Sequence, residues 1–221
     1  MTALLTRWVP ASGLLAVVAL ALTGLISPPP PIAGAPAAEI ANYYNSHHAG
    51  LEAESIADGI GAMLVVVFAA SLHARIRSLP SLTALVAAAI LATCTLVQVA
   101  AFHTLAFRPN ADPVRAALLN DLQSFTFQVT TFPAILFLSA AATAILGSAS
   151  LPRWIGLAAG GAASLHAIAW ISFFASAGIL AAGALPDIVS FASLLAWLVA
   201  CSLAMLVRPA PYIETRARGL G

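Results

Sequence analysis

The sequence predicts an all-α membrane protein: a polytopic bundle of six transmembrane helices with both termini on the cytoplasmic side. Three observations predict it. Of 221 residues, 61% are hydrophobic and only 8% charged, whereas a soluble domain carries roughly 25% charged residues. Six apolar stretches approach the roughly 20 residues that an α-helix, rising about 1.5 Å per residue, needs to cross a hydrocarbon core about 30 Å thick. The nine basic residues are all arginine, and they are distributed unevenly. Arg7, Arg75, Arg77, Arg153, Arg208, Arg216 and Arg218 fall at or beyond one set of span ends, with only Arg108 and Arg115 at the other. Under the positive-inside rule the arginine-rich ends are cytoplasmic.

The expected spans are about 8–26, 55–72, 82–107, 121–146, 154–179 and 188–207. Alanine, leucine and valine fill them without alternation, which favours helices over a transmembrane barrel. The acids agree with the orientation. Glu39, Glu52, Glu54, Asp58, Asp112, Asp121 and Asp187 fall outside or at the outer rim, and only Glu214 falls inside. Trp8 and Trp154 stand at cytoplasmic ends, where indole rings favour the interface. The first span also resembles a signal peptide, with Arg7, an apolar run and small residues at Ala33, Ala35 and Ala37. Four prolines separate that run from the cleavage-like site, so the span is expected to be retained.

The first outer loop, 27–54, opens with Pro28, Pro29, Pro30 and Pro31, which favour an extended arm without internal hydrogen bonds. Ile40, Tyr43, Tyr44, His47 and Leu51 then recur at helical spacing. They predict a short helix over 37–51, lying on the membrane surface or folded back as a lid. Asp112 followed by Pro113 is a helix start, N-cap then N1. A helix running from there through the fourth span would be about 50 Å long. Pro133, mid-span, predicts a kink that frees the carbonyl near Val129.

Polar residues at membrane depth are candidate functional groups, because burying them in lipid is costly. Asp58, Asp121 and Asp187 lie near outer helix starts, where the helix dipole and the orphan N–H groups already explain a carboxylate. Asp121, Ser124, Gln128 and Thr131 share one face of the fourth span and could wall a hydrated cavity. Interhelical hydrogen bonding is the plainer explanation. Gln123, Thr126 and Thr130 form a second polar set on the opposite side. With Gln98, His166 and Trp170, the first stripe makes a candidate ligand or transport path. His103, His166, Asp58 and Asp121 form a candidate metal set, since histidine and carboxylate suit zinc or copper, although no diagnostic spacing links them. His47, His48 and Glu52 read as a solvated loop face. Gly156, Gly160 and Ser164 form a small-residue stripe suited to close helix packing, within the chain or with a partner membrane protein or second copy. Cys94 and Cys201 both sit in apolar stretches as buried thiols.

An arginine-led entry into the first span over residues 7–13 is followed by Glu39-Ile40-Ala41-Asn42-Tyr43-Tyr44 in the outer loop and a short second span ending over 73–77. In this layout the chain resembles an actinobacterial family of multi-pass membrane proteins of unknown function. The resemblance implies the fold and carries no catalytic or binding residue.

Absences narrow the function classes. Without lysine there is neither a retinal Schiff base nor a P-loop. There is no nucleophile elbow, no dinucleotide fingerprint and no soluble domain to hold a nucleotide. No cofactor is called for, and a net charge of +1 offers no field for nucleic acid. The leading expectation is a non-catalytic plasma-membrane subunit or small-ligand-binding bundle. The alternatives are a small transporter component with an outward polar vestibule and a membrane-embedded metalloenzyme.

Overall fold

A computed structural model describes residues 9–108, 112–174 and 185–208. Every regular element among them is helical. A 3-10 turn at Val9–Ala11 leads into α1 (Ser12–Ile26). There follow α2 (Ala37–Ile76), α3 (Leu79–Phe107), α4 (Pro113–Val129), α5 (Thr131–Leu146), α6 (Arg153–Ala169), a 3-10 turn at Trp170–Phe174, and α7 (Leu185–Val207). Five helices, counting α4 with α5 as one, are long and apolar enough to cross a membrane. The fold is an all-α bundle of the membrane-spanning kind. α6 alone has 17 residues, and the 3-10 turn extends it. Residues 175–179 of the expected fifth span, together with Arg7, Trp8, Glu214, Arg216 and Arg218, lie outside the described residues.

The largest departure from the sequence-based expectation is α2. The short helix predicted over 37–51 and the span predicted over 55–72 are one helix of 40 residues. No proline interrupts residues 49–55, and Leu51, Glu52, Ala53 and Glu54 contain no breaker, so the ladder runs on. At about 1.5 Å per residue it is roughly 60 Å long, twice a hydrocarbon core. It is therefore about twice as long as a single crossing needs. Arg77 ends the helix in the left-handed region (φ 52°), its N–H donating to His73 O at 2.8 Å. Ser78 and Ser81 then form a capping box that starts α3.

The long helix expected after Asp112 is present but broken. The Asp112 side chain accepts from Val114 N–H at 2.9 Å. α4 ends at Val129 and α5 begins at Thr131. Pro133 has no N–H to offer the carbonyl one turn earlier, and Thr130 Oγ1 donates to Phe127 O at the joint.

Six helices close a ring in the order α1, α2, α3, α5, α6, α7 and back to α1, with α4 packed on α2 and α3 at one end. The ring's interior mixes many small side chains with a few large ones such as Phe68, Phe137 and Leu198. Alanines face inward, including Ala87, Ala88, Ala141, Ala159 and Ala162, while Leu15, Val86, Leu136, Leu157 and Leu203 face outward. Lipid is as apolar as leucine, so helices associate through small residues that let backbones approach. Gly13 and Gly61 show this directly. A Cβ on Gly13 would lie 2.6 Å from the Phe68 ring, and one on Gly61 would lie 2.7 Å from Leu20 Cγ.

The two ends differ. At the arginine end, Arg75 donates to Met205 O (3.2 Å) and Ser150 O (3.1 Å), tying the end of α2 to the last turn of α7 and to the α5–α6 turn. A cation there meets the negative ends of helices. At the opposite end, the amino-terminal halves of α2 and α4 and the end of α3 form a second core around Ile40, Tyr44, Leu51, Phe102, Leu105 and Ala116.

Candidate functional site

The site begins with the segment between α1 and α2. Pro28, Pro29, Pro30 and Pro31 hold it extended, so its backbone polar groups must find partners elsewhere. Ser27 N–H donates to Glu54 Oε1 at 2.7 Å. Tyr43 Oη donates to Pro28 O, Asn120 Nδ2 donates to Pro31 O at 3.2 Å, and Gly34 N–H donates to Asp121 Oδ1 at 3.0 Å. Burial, reinforced by the Glu54 carboxyl, pushes the Tyr43 phenol up to about 12, so it remains a donor at ordinary pH. Asn120 is fully buried and also accepts from Tyr44 Oη at 3.0 Å. The segment is thus a strap stitched to α2 on one side and α4 on the other.

Beneath the strap lies a chamber of about 240 Å³, lined by Pro28, Pro29, Pro30, Glu54, Phe102 and Gln123 among others. A second chamber of about 210 Å³ lies deeper, inside the ring. The two share Thr23, Asp58 and Gln98 in their walls. Those three residues, on α1, α2 and α3, therefore mark the junction where the two chambers adjoin. Thr23 Oγ1 donates to Leu20 O at 2.7 Å and lies beside the Asp58 carboxyl. Glu54 is one helical turn from Asp58 on the same face of α2 and close enough to interact with it.

The inner chamber is apolar at its sides, with Leu20, Val65, Leu91, Phe127 and Leu194. Thr130, Thr131, His166, Asp187 and Ser190 add polar groups to the same lining. Phe127 and Phe191 meet edge to face at 6.5 Å between ring centres. Every one of the seven helices contributes to this chamber. About one helical turn beyond the lining residues Val65, Ala134 and Leu194, toward the arginine side, lies a buried aromatic layer. Trp197 packs edge to face on Phe68 (5.7 Å) and on Phe137 (5.5 Å), and its indole N–H donates to Ile155 O at 3.1 Å.

The residues singled out in the sequence fall in several places. Gln98, Thr131, His166 and Asp58 line the cavity. Asp121, Ser124 and Gln128 do not, although the sequence puts them on the same stripe as Thr131. Asp121 anchors Gly34 of the strap. Ser124 Oγ donates to Gln123 Oε1 at 3.4 Å. Gln128 is buried with neither amide atom hydrogen-bonded. The face of the fourth span that turns inward carries Gln123, Phe127, Thr130, Thr131 and Ala134. Trp170 lies outside the cavity against Phe132 (5.5 Å) and Phe174 (5.3 Å).

The metal set His103, His166, Asp58 and Asp121 does not converge. His103 is exposed and shares a hydrogen bond with Ser55 Oγ at 2.9 Å. His166 Nδ1 pairs with Ala162 O at 3.0 Å, and Asp121 is committed to the strap. Among the described residues, no three histidine, cysteine or carboxylate side chains come together as metal ligands do. The small-residue stripe is split. Gly156 is packed so closely that a Cβ would lie 2.8 Å from Leu146 Cγ, while Gly160 faces open space and Ser164 is exposed. His47 stacks on Tyr43 at 4.8 Å between ring centres.

Thr23, Glu54, Gln123 and Phe191 belong to the site and were not selected from sequence. Glu54 and Asp58, four residues apart, were the available signal for α2, and Gln123 with Thr130 the signal for α4 and α5. Comparison with protein-family models, with curated proteins and with solved structures gives no match for this chain. The fold and the cavity together define its class, a polytopic membrane helical bundle enclosing a largely apolar chamber with a few polar groups. Its function must be read from that chamber.

Proposed function

We propose that this protein is a non-catalytic, small-ligand-binding membrane bundle whose site is reached from the outer face. The observation that carries the reading is the pair of chambers adjoining at Thr23, Asp58 and Gln98, with Phe68, Phe137 and Trp197 packed together about one helical turn beyond the inner one. A largely apolar pocket with a few convergent polar groups is the usual form of a small-molecule site. An internal volume of about 210 Å³ exceeds the roughly 150 Å³ that suffices to bind benzene. The positive-inside rule assigns the Arg75 end to the cytoplasm of a plasma membrane and the strap to the outside. The buried aromatic layer beyond Val65, Ala134 and Leu194 favours a binding bundle over a conduit, because a transport path would need that layer to part.

The test is ligand-dependent stabilisation of the full chain in lipid nanodiscs. A panel of single-ring amphipathic compounds, cationic, neutral and anionic, is screened for a rise in Tm. At least one compound is expected to stabilise the protein, and Ala62→Leu, which fills the inner chamber, is expected to abolish the shift. A panel without a single binder, or binding indifferent to Ala62→Leu, would reject the reading.

A further inference from the structure

We infer that the cavity selects a small amphipathic organic cation, an ammonium group carrying one aromatic ring or a short alkyl chain, with Asp58 as its counter-ion. The inference rests on the binding-bundle reading and names the class of ligand. Three carboxylates, Glu54, Asp58 and Asp187, line the two chambers, and no arginine or lysine is among the described lining residues. Their local partners differ. Glu54 already accepts the Ser27 N–H, and Asp187 lies near enough to His166 to interact with it. Asp58 stands at the junction itself, with Thr23 and Gln98 as its polar companions in both walls. A carboxylate withdrawn from water is costly unless a positive charge answers it. With no arginine or lysine among the described residues of either chamber, a cationic ligand would give the half-buried Asp58 the charged partner that the lining lacks.

The surroundings fit the rest of such a molecule. From the junction the inner chamber runs between Leu20, Val65, Leu91 and Leu194, which suits an apolar tail. Phe127 and Phe191 add ring faces and edges within the same wall, and a cation or a ligand ring gains from either. Toward the strap, Glu54 and the Gln98 and Gln123 amides give the ammonium N–H groups further acceptors. An anionic ligand would meet three carboxylates and no guanidinium, which like-charge repulsion disfavours.

Three probes of matched shape decide the matter: phenethylammonium, 2-phenylethanol and 3-phenylpropanoate, titrated calorimetrically into the full chain in nanodiscs. Phenethylammonium is expected to bind at least about tenfold tighter than the alcohol, with the propanoate weakest, as a charge-assisted hydrogen bond implies. Asp58→Asn is expected to weaken the ammonium by about 10- to 100-fold and leave the alcohol unchanged. Asp58→Glu should restore most of the loss, and Glu39→Gln, an exposed carboxylate outside the cavity, should change nothing. Equal or tighter binding of the alcohol or the propanoate would overturn the cation class. So would an ammonium affinity indifferent to Asp58→Asn. In both cases the binding-bundle reading stands if Ala62→Leu still abolishes binding. Should Asp58→Asn fail to fold, the order of the three probes on the unmodified chain decides alone. If none of the three binds, the cation class is rejected, and the wider panel decides the parent reading.

Discussion

The two ends of the ring are built on different physics. The arginine end is dry: Phe68, Phe137 and Leu198 are fully buried, Trp197 nearly so, and alanines fill the gaps between helices. The strap end is stitched by hydrogen bonds from Ser27, Tyr43, Asn120 and Gly34, and it leaves two chambers open beneath. Close packing spreads many small contacts over an interface and cannot be undone piecemeal. A strap held by a few polar contacts can open locally without unfolding the rest. Stability is thus concentrated at one end and access at the other.

The sharpest way to break that division is Phe68→Ala. It removes the ring shared by α2 and Trp197 and should cost about 3–5 kcal/mol of stability, measured by equilibrium unfolding in mixed micelles. A cost under about 1 kcal/mol would mean that the aromatic layer is not the bundle's anchor. Next in size is Arg75→Met, which strands the Met205 and Ser150 carbonyls. A loss of about 2–3 kcal/mol is expected from bonds to a charged donor, again as a global effect. At the strap end, Tyr44→Phe leaves the buried Asn120 amide short of a partner and should cost about 1–2 kcal/mol. Here the change should appear as faster amide exchange at Gly34 and Ser27, with little movement of the global transition. Smallest is Arg77→Gly. Glycine accepts the φ of 52° without penalty, so a gain of up to about 1 kcal/mol is expected. A loss instead would assign the Arg77 side chain, which donates to Ala74 O at 3.2 Å, more weight than its backbone strain.

Legibility in the sequence followed the same division. The helices were readable because apolar length and Pro–Asp punctuation are local signals. Asp112 caps α4, and the break before Pro133 falls where the missing N–H requires it. The boundary between the outer helix and the second span was misread because Glu52 and Glu54 look like loop residues, yet they continue α2 without strain. The cavity face was harder to see. On the fourth span, two polar sets compete at helical spacing, and periodicity cannot say which turns inward. The structure turns Gln123, Thr130 and Thr131 toward the chambers and gives Asp121 to the strap. His103 and His166 looked alike in sequence, but only His166 is buried and lines the cavity.

By itself the sequence determined that the chain is helical, apolar enough for a membrane, and marked by arginines at one set of ends, because length, composition and charge act through local hydrogen bonding and transfer energy. It could not say which helices are neighbours or where space is left between them. In lipid both faces of a helix are apolar, so the inward face is distinguished by side-chain size and not by polarity. Only tertiary packing decided that α5, rather than α4, closes the ring, that the proline strap roofs its mouth, and that Thr23, Asp58 and Gln98 meet at one point.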